Sequence, residues 1–111
     1  MTVFCDTSVL VAACIRKHPH FGRARPVLEA IAAGKDVGII SSHSLAEAYS
    51  ALTSVPVVPR ILPTEARVII ATNIQRHFQI VPVTPAMYER AMDVCVGRGL
   101  GGGKVYDALL I

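Results

Sequence analysis

The sequence has little charge, few cysteines and no long apolar run, and each of these absences limits what the chain can be. Charged residues make up 17% of the 111 residues and hydrophobic residues 52%, so many helices must be largely buried or lie at interfaces. No apolar run approaches the roughly 20 residues that a membrane-spanning helix needs. No basic segment followed by an apolar stretch opens the chain, as a secretion signal would. We therefore expect one small, soluble, cytoplasmic domain.

Two kinds of motif are also missing. The three cysteines, Cys5, Cys14 and Cys95, include no close pair such as CxxC and lie in apolar contexts. They are predicted to be reduced core residues. Glycines are frequent across residues 97–103, and such a loop before a helix can bind phosphate through backbone N–H groups. The spacing GxxxxGK[ST] is absent, so a nucleotide-binding P-loop is not supported, and flexibility near an active edge is the simpler interpretation.

An apolar run at residues 3–5 leads directly into Asp6, Thr7 and Ser8, and an apolar stretch follows. This pattern predicts a buried strand, a tight turn and a helix. Asp6 is then at the carboxyl end of the first strand, the edge where open α/β sheets bind ligands. Asp is also a favoured helix cap, although Thr7 or Ser8 could cap the helix equally well. The pattern alone leaves both roles open for Asp6.

Two more acids, Glu47 and Asp107, lie within apolar stretches that are predicted to be helical. Charged groups are rarely buried without a partner, so three acids in such contexts suggest one shared cation. Glu47 also fits a capping box with Ser44, but Ser41 and Ser42 offer an earlier helix start. His43 is one helical turn before Glu47, so it could hydrogen-bond Glu47 or contact substrate, although a surface residue is favoured.

Carboxylates gathered at one place repel one another unless a cation neutralises them. Mg²⁺ suits this role because it takes oxygen ligands and needs only one or two protein carboxylates besides waters and substrate oxygens. The chain carries a formal net charge of +3, and setting these three acids aside leaves eleven basic residues against five acidic ones. A basic surface around an acidic pit suits a polyanion, although ordinary solubilising charge is the alternative.

The remaining pattern alternates helices with short apolar strands. Helices are predicted from residue 21 to about 33, after residue 41, from 64 to about 76 and from 85 to about 96, and strands at 37–40 and 78–83. Prolines exclude a helix across residues 55–62. A last helix carries Asp107. This order predicts an α/β fold, a three-layer α/β/α domain with a mostly parallel central sheet.

Three segments, residues 4–13, 44–53 and 102–110, resemble in this order the motifs of PIN-domain nucleases, in particular the VapC-type ribonuclease toxins of toxin-antitoxin modules. The resemblance covers the whole chain. It implies that Asp6, Glu47 and Asp107 hold Mg²⁺ or Mn²⁺ and that single-stranded or structured RNA is cleaved by a metal-activated water. Further substrate contacts are expected from Thr7, Ser8 and Lys104.

The resemblance also implies partners, namely an RNA substrate, a cognate antitoxin protein and a second copy in a homodimer. PIN-like proteins of this type continue past the final acidic helix into another strand, so residues 1–111 are expected to form a single PIN-like domain that lacks its C-terminal strand.

Two other functions fit part of the pattern. A non-catalytic RNA- or protein-binding module on the same fold is the main alternative, because ligands alone do not imply turnover. An aspartyl-nucleophile phosphatase would carry a second acid where this chain has Ser8. His18 and His20 form an H-x-H pair, for which a solvated loop is favoured over a metal site.

Overall fold

The computed structural model describes residues 1–105, so the predicted last helix with Asp107 lies outside the described residues. The chain divides into two compact units between Val81 and Pro82. The single-domain expectation stays a prediction. Among the described residues, no helix is both long enough and apolar enough to cross a membrane.

The first unit is built on a parallel sheet whose strands lie side by side in chain order. The strands are β1 (Thr2–Phe4), β2 (Val37–Ser41) and β3 (Phe78–Val81). In the register of the sheet, Gly38 on the central strand pairs with Val3 on one side and Phe78 on the other. The predicted α/β class and parallel sheet are confirmed.

Four helices connect these strands, two in each crossover. They are α1 (Thr7–Cys14), α2 (Phe21–Ala32), α3 (Ser42–Ser54) and α4 (Pro63–Ile70). Because both crossovers advance in the same direction across the sheet, the right-handed rule puts all four helices on one face. The core of the unit is on that face and includes Leu10, Ile40 and Leu52, each almost completely buried. On the other face, Phe4 and Val37 remain 57% and 44% exposed.

Gly38 is required by the packing of the central strand. A Cβ atom at this position would lie 2.6 Å from the ring of Phe78 and 2.8 Å from the side chain of Ile31. These distances are too short for any side chain, so the glycine lets the α2 helix and the β3 aromatic ring meet over β2.

The helix predicted from residue 64 to about 76 changes character part-way. α4 begins at Pro63, with the Leu62 N–H donating to Glu65 Oε1 at 2.9 Å, and is followed by a π-helical segment, Ala71–Gln75. Thr72 and Asn73 donate side-chain hydrogen bonds to the carbonyl groups four residues before them, at 2.8 and 3.0 Å. These bonds compete with the backbone amides for the same acceptors, which favours the wider turn.

The described part of the second unit contains α5 (Pro85–Arg98). Thr84 caps its start by accepting from the Met87 N–H at 3.3 Å, and Gly99 ends it in the left-handed conformation with φ 65°. The predicted strand at 78–83 stops at Val81, because Pro82 has no N–H for the sheet. Ala91 and Cys95 form the buried centre of this unit.

All three cysteines are free, as predicted. Burial raises the pKa of the Cys14 thiol to about 11, although the nearby Arg25 opposes the shift. The thiol is therefore neutral and unreactive near pH 7.

Candidate active site

Asp6 follows β1 at the carboxyl edge of the sheet. The hydrogen bonding of the sheet extends one residue past the strand, since the Cys5 N–H donates to the Ile39 carbonyl at 3.2 Å. Asp6 is then the N-cap of α1: its Oδ1 accepts from the Val9 N–H at 3.0 Å and from the Ser8 hydroxyl at 2.7 Å. The structure thus gives the cap to Asp6 rather than to Thr7 or Ser8. Both bonds use Oδ1, so capping leaves Oδ2 available on an exposed side chain.

Glu47 is in the second turn of α3. This helix begins at Ser42 directly after β2, with Ser41 as its N-cap, so the alternative of a capping box between Ser44 and Glu47 is wrong. Oε1 of Glu47 is 3.4 Å from Nε2 of His43, and the two side chains are 43% and 33% exposed. His43 is thus at the surface with part of its side chain buried, and it contacts the candidate ligand one turn away, which is one of the roles that its spacing allows.

A groove of about 800 Å³ runs between α1, α2 and α3. Its lining residues are Thr7, Ser8, Val9, Val11, Ala12, His18, His20, Arg23, Ala24, Val27, Glu47 and Ala51. The fold therefore brings Thr7, Ser8 and Glu47 to one groove, and Asp6 directly precedes two of them. This arrangement follows from topology, because β1 and β2 are adjacent and parallel and their carboxyl ends share one edge.

The PIN-domain family model matches residues 3–111. The chain belongs to the PIN-domain family.

This PIN domain is similar in fold to the crystal structure of VapC20 from Mycobacterium tuberculosis, a toxin that cleaves the sarcin-ricin loop. The TM-score is 0.69 and the sequences are 22% identical over 98% of this chain and 77% of that chain. At this identity the likeness concerns the fold. No curated protein matches the chain.

The predicted ligand set of the PIN domain is only partly within the described residues. Asp6 and Glu47 are placed as above, whereas Asp107 lies outside. Within residues 1–105, no three His, Cys, Asp or Glu side chains come together closely enough to hold a metal ion. Lys104, a predicted substrate contact, is exposed and belongs to the second unit. The roles assigned to these residues stay predictions.

Three groove residues were not predicted as part of the site. His18 and His20 lie in the loop before α2, as expected, and Arg23 is in the first turn of that helix, yet all three line the groove with Glu47. The only sequence signal was the density of basic residues and histidines between positions 16 and 25. Nothing in that pattern indicates which of them point towards α3.

Cys5 lies directly behind the candidate acid. Its side chain is buried, and both this burial and the negative charge of Asp6 raise the pKa of the thiol. Cys5 therefore stays neutral and adds no negative charge to this edge of the sheet.

Proposed function

We propose that this PIN domain is a metal-dependent endoribonuclease of the VapC toxin type, which cleaves single-stranded or structured RNA in the cytoplasm. The family match and the likeness in fold to VapC20 support this class of activity. The observation that carries the proposal is that one predicted acid lines a groove and another directly precedes two of the residues that line it. Glu47 lines this groove from α3, and Asp6 immediately precedes the groove residues Thr7 and Ser8.

The donor atoms fit a hard divalent cation. Asp6 keeps Oδ2 available and Glu47 offers a half-exposed carboxylate, and such oxygen ligands suit Mg²⁺ or Mn²⁺. Asp107 completes the set by its place in the family motif. When bound, the ion supplies positive charge that acidifies an attacking water and neutralises the phosphate oxygens.

The chain's own residues orient these ligands. The Ser8 hydroxyl and the Val9 N–H fix the rotamer of Asp6, and His43 holds Glu47 from one helical turn away. Thr7 lines the groove and offers a hydroxyl donor to a phosphate oxygen. Lys104 is proposed as a further substrate contact from its place in the family motif alone.

The decisive test is Asp6→Asn in a cleavage assay. Substrates are a sarcin-ricin loop hairpin, chosen because VapC20 cleaves that loop, and an unstructured RNA oligonucleotide. Wild-type protein is expected to cleave with Mg²⁺ or Mn²⁺ and to stop in EDTA. Asp6→Asn should lose at least about 100-fold in rate, because Asn keeps the capping oxygen but loses the ligand charge.

Asp93→Asn is the matched control, since Asp93 is an exposed acid on α5 and the substitution removes the same charge. It should cleave at the wild-type rate. Cleavage that persists in EDTA, or an Asp6→Asn protein of undiminished activity, would exclude the mechanism. Metal-independent RNA binding without turnover would point to a binding module instead.

As a toxin, the protein is proposed to form a homodimer and to pair with a small antitoxin protein. Light scattering of the purified chain at rising concentration is expected to give the mass of a dimer. A monomer at all concentrations would contradict the dimer and leave the nuclease proposal standing.

A further inference from the structure

The groove has two chemically different ends. The adjacent carboxyl ends of β1 and β2 lead into α1 and α3, so Thr7, Ser8 and Glu47 line the groove where these helices begin, whereas His18, His20 and Arg23 follow the other end of α1 at Cys14. We call the second group the loop end of the groove. The first end attracts cations, whereas the loop end carries hydrogen-bond donors and a positive charge.

The geometry of the loop end fixes the state of His18. The His20 backbone N–H donates to Nδ1 of His18 at 3.0 Å, so this nitrogen must be the acceptor. In a neutral imidazole the proton is then on Nε2, which makes that nitrogen a donor. The two histidine rings also lie close together, with centroids 5.7 Å apart.

Arg23 has a charge that the protein does not neutralise. It is exposed and forms no ion pair within the described part of the chain, whereas Arg25, two residues on, pairs with Glu29 at 3.4 Å and donates to the Ala13 carbonyl at 3.1 Å. Arg25 thus joins α1 to α2, and Arg23 is left for a ligand.

Between the two ends, the lining of the groove is mostly apolar and comes from α1 and α2. A volume of about 800 Å³ is in the range of small-molecule sites and accommodates nucleotide-sized groups. An RNA strand repeats a phosphate at every nucleotide and has bases with apolar faces. A strand with one phosphate at the acidic end would therefore have its next groups along the apolar lining and at the loop end.

We propose that the loop end, through Arg23 and Nε2–H of His18, binds the phosphate of a nucleotide adjacent to the one that is cleaved. This assignment rests on the proposed ribonuclease function, and it adds a subsite that positions the strand. Arg23 and His18 are positioning residues for the reaction at the acidic end.

The test measures binding rather than cleavage. In an Asp6→Asn background, fluorescence anisotropy follows a labelled sarcin-ricin loop hairpin over a range of salt concentrations. Arg23→Ala should weaken binding about fivefold and reduce the slope of log K against log salt by about 1, as expected for one lost phosphate contact. His18→Ala should weaken binding about threefold, and His18→Gln should recover part of the loss because it restores an N–H donor.

Arg76→Ala is the matched control. Arg76 is an exposed arginine just before β3, so it is at the opposite edge of the sheet and does not line the groove. The affinity of the Arg76→Ala variant for the RNA hairpin should stay within about twofold of that of the Asp6→Asn parent, and the salt slope should be unchanged. Thermal melting checks that each variant is folded.

Unchanged affinity and slope in Arg23→Ala and His18→Ala would overturn the subsite and leave the groove to a protein partner. That result differs from failure of the ribonuclease proposal, which would appear as cleavage unaffected by Asp6→Asn. In cleavage-competent protein, Arg23→Ala should raise KM more than it lowers kcat, whereas loss of a metal ligand lowers kcat.

Discussion

Asp6 and Glu47 are held in different ways by the helices that carry them. Asp6 is at the start of a helix, where one carboxylate oxygen already caps the backbone. Glu47 is inside a helix, where the backbone makes no demand on its side chain and its contact is with His43. Asp6 therefore has a structural role besides its proposed role as a metal ligand, whereas Glu47 has only the proposed role.

The difference decides which substitutions are informative. At Asp6, a change that removes the oxygen alters folding and chemistry together, and only Asn separates the two. At Glu47, either Gln or Ala removes the charge with little effect on the helix. At Asp6, a loss of activity can therefore be assigned to chemistry only in the Asn variant, whose stability is kept. At Glu47, it can be assigned to chemistry in either the Gln or the Ala variant.

The largest expected effect is metal-dependent stabilisation. At a Mg²⁺ concentration about 100 times Kd, the wild type should gain about 3 kcal/mol in free energy of unfolding, because the ion binds only the folded state. Asp6→Asn and Glu47→Gln should both lose most of this gain, while Asp93→Asn keeps it. Thermal melting with and without Mg²⁺ measures the effect, and a gain that survives in one of the two variants would remove that acid from the site.

Without metal, substituting each acid by Ala should lower the free energy of unfolding by different amounts. Asp6→Ala should cost about 1 kcal/mol, because the Val9 N–H loses its cap. Asp6→Asn should cost only a few tenths. Glu47→Ala should stay within about 0.5 kcal/mol of the wild type, since the partly exposed contact with His43 adds little and Ala favours the helix. Equal losses in urea unfolding of the two Ala variants would contradict the distinction.

The smallest expected effects on stability concern the residues that orient the acids. Ser8→Ala removes one hydrogen bond from Asp6, and His43→Ala removes the neighbour of Glu47. Each should change the free energy of unfolding by about 0.5 kcal/mol or less and slow cleavage about tenfold, as for groups that orient metal ligands. A steady-state kinetic comparison with Ser50→Ala, an exposed serine on α3, provides the check.

Much of the fold was predictable because its signals are local. Proline marks the start of α4 at Pro63, and short apolar runs mark the strands. Element ends were less exact, since the strand predicted to residue 83 ends at Val81 and the helix predicted to about residue 96 ends at Arg98. The π-helical segment was not predicted, since it depends on whether Thr72 and Asn73 donate to backbone carbonyls or to water. That choice is not encoded in their spacing.

The placement of the candidate acids was predictable in part. Asp6 was singled out at the end of a strand and Glu47 within an apolar helical stretch, and topology brings the two strands that precede them to one edge of the sheet. Their role as ligands stays a prediction. The loop end of the groove depends on how α2 packs against α1 and α3. Such contacts between distant segments cannot be inferred from the hydrophobic periodicity of the sequence. His18 was therefore assigned to a solvated loop, and Arg23 was not singled out.

The cap at Asp6 has a genetic consequence. Codons for Asp and Asn differ by a single base, and Asn retains the capping oxygen, so one transition in this codon would disarm the proposed nuclease while preserving the folded protein. Cells that escape the proposed toxin activity by this route would still accumulate the protein at a normal level. The inactive chain would remain able to occupy any partner that recognises the fold, and the lesion would be visible in an activity screen but not in an abundance screen.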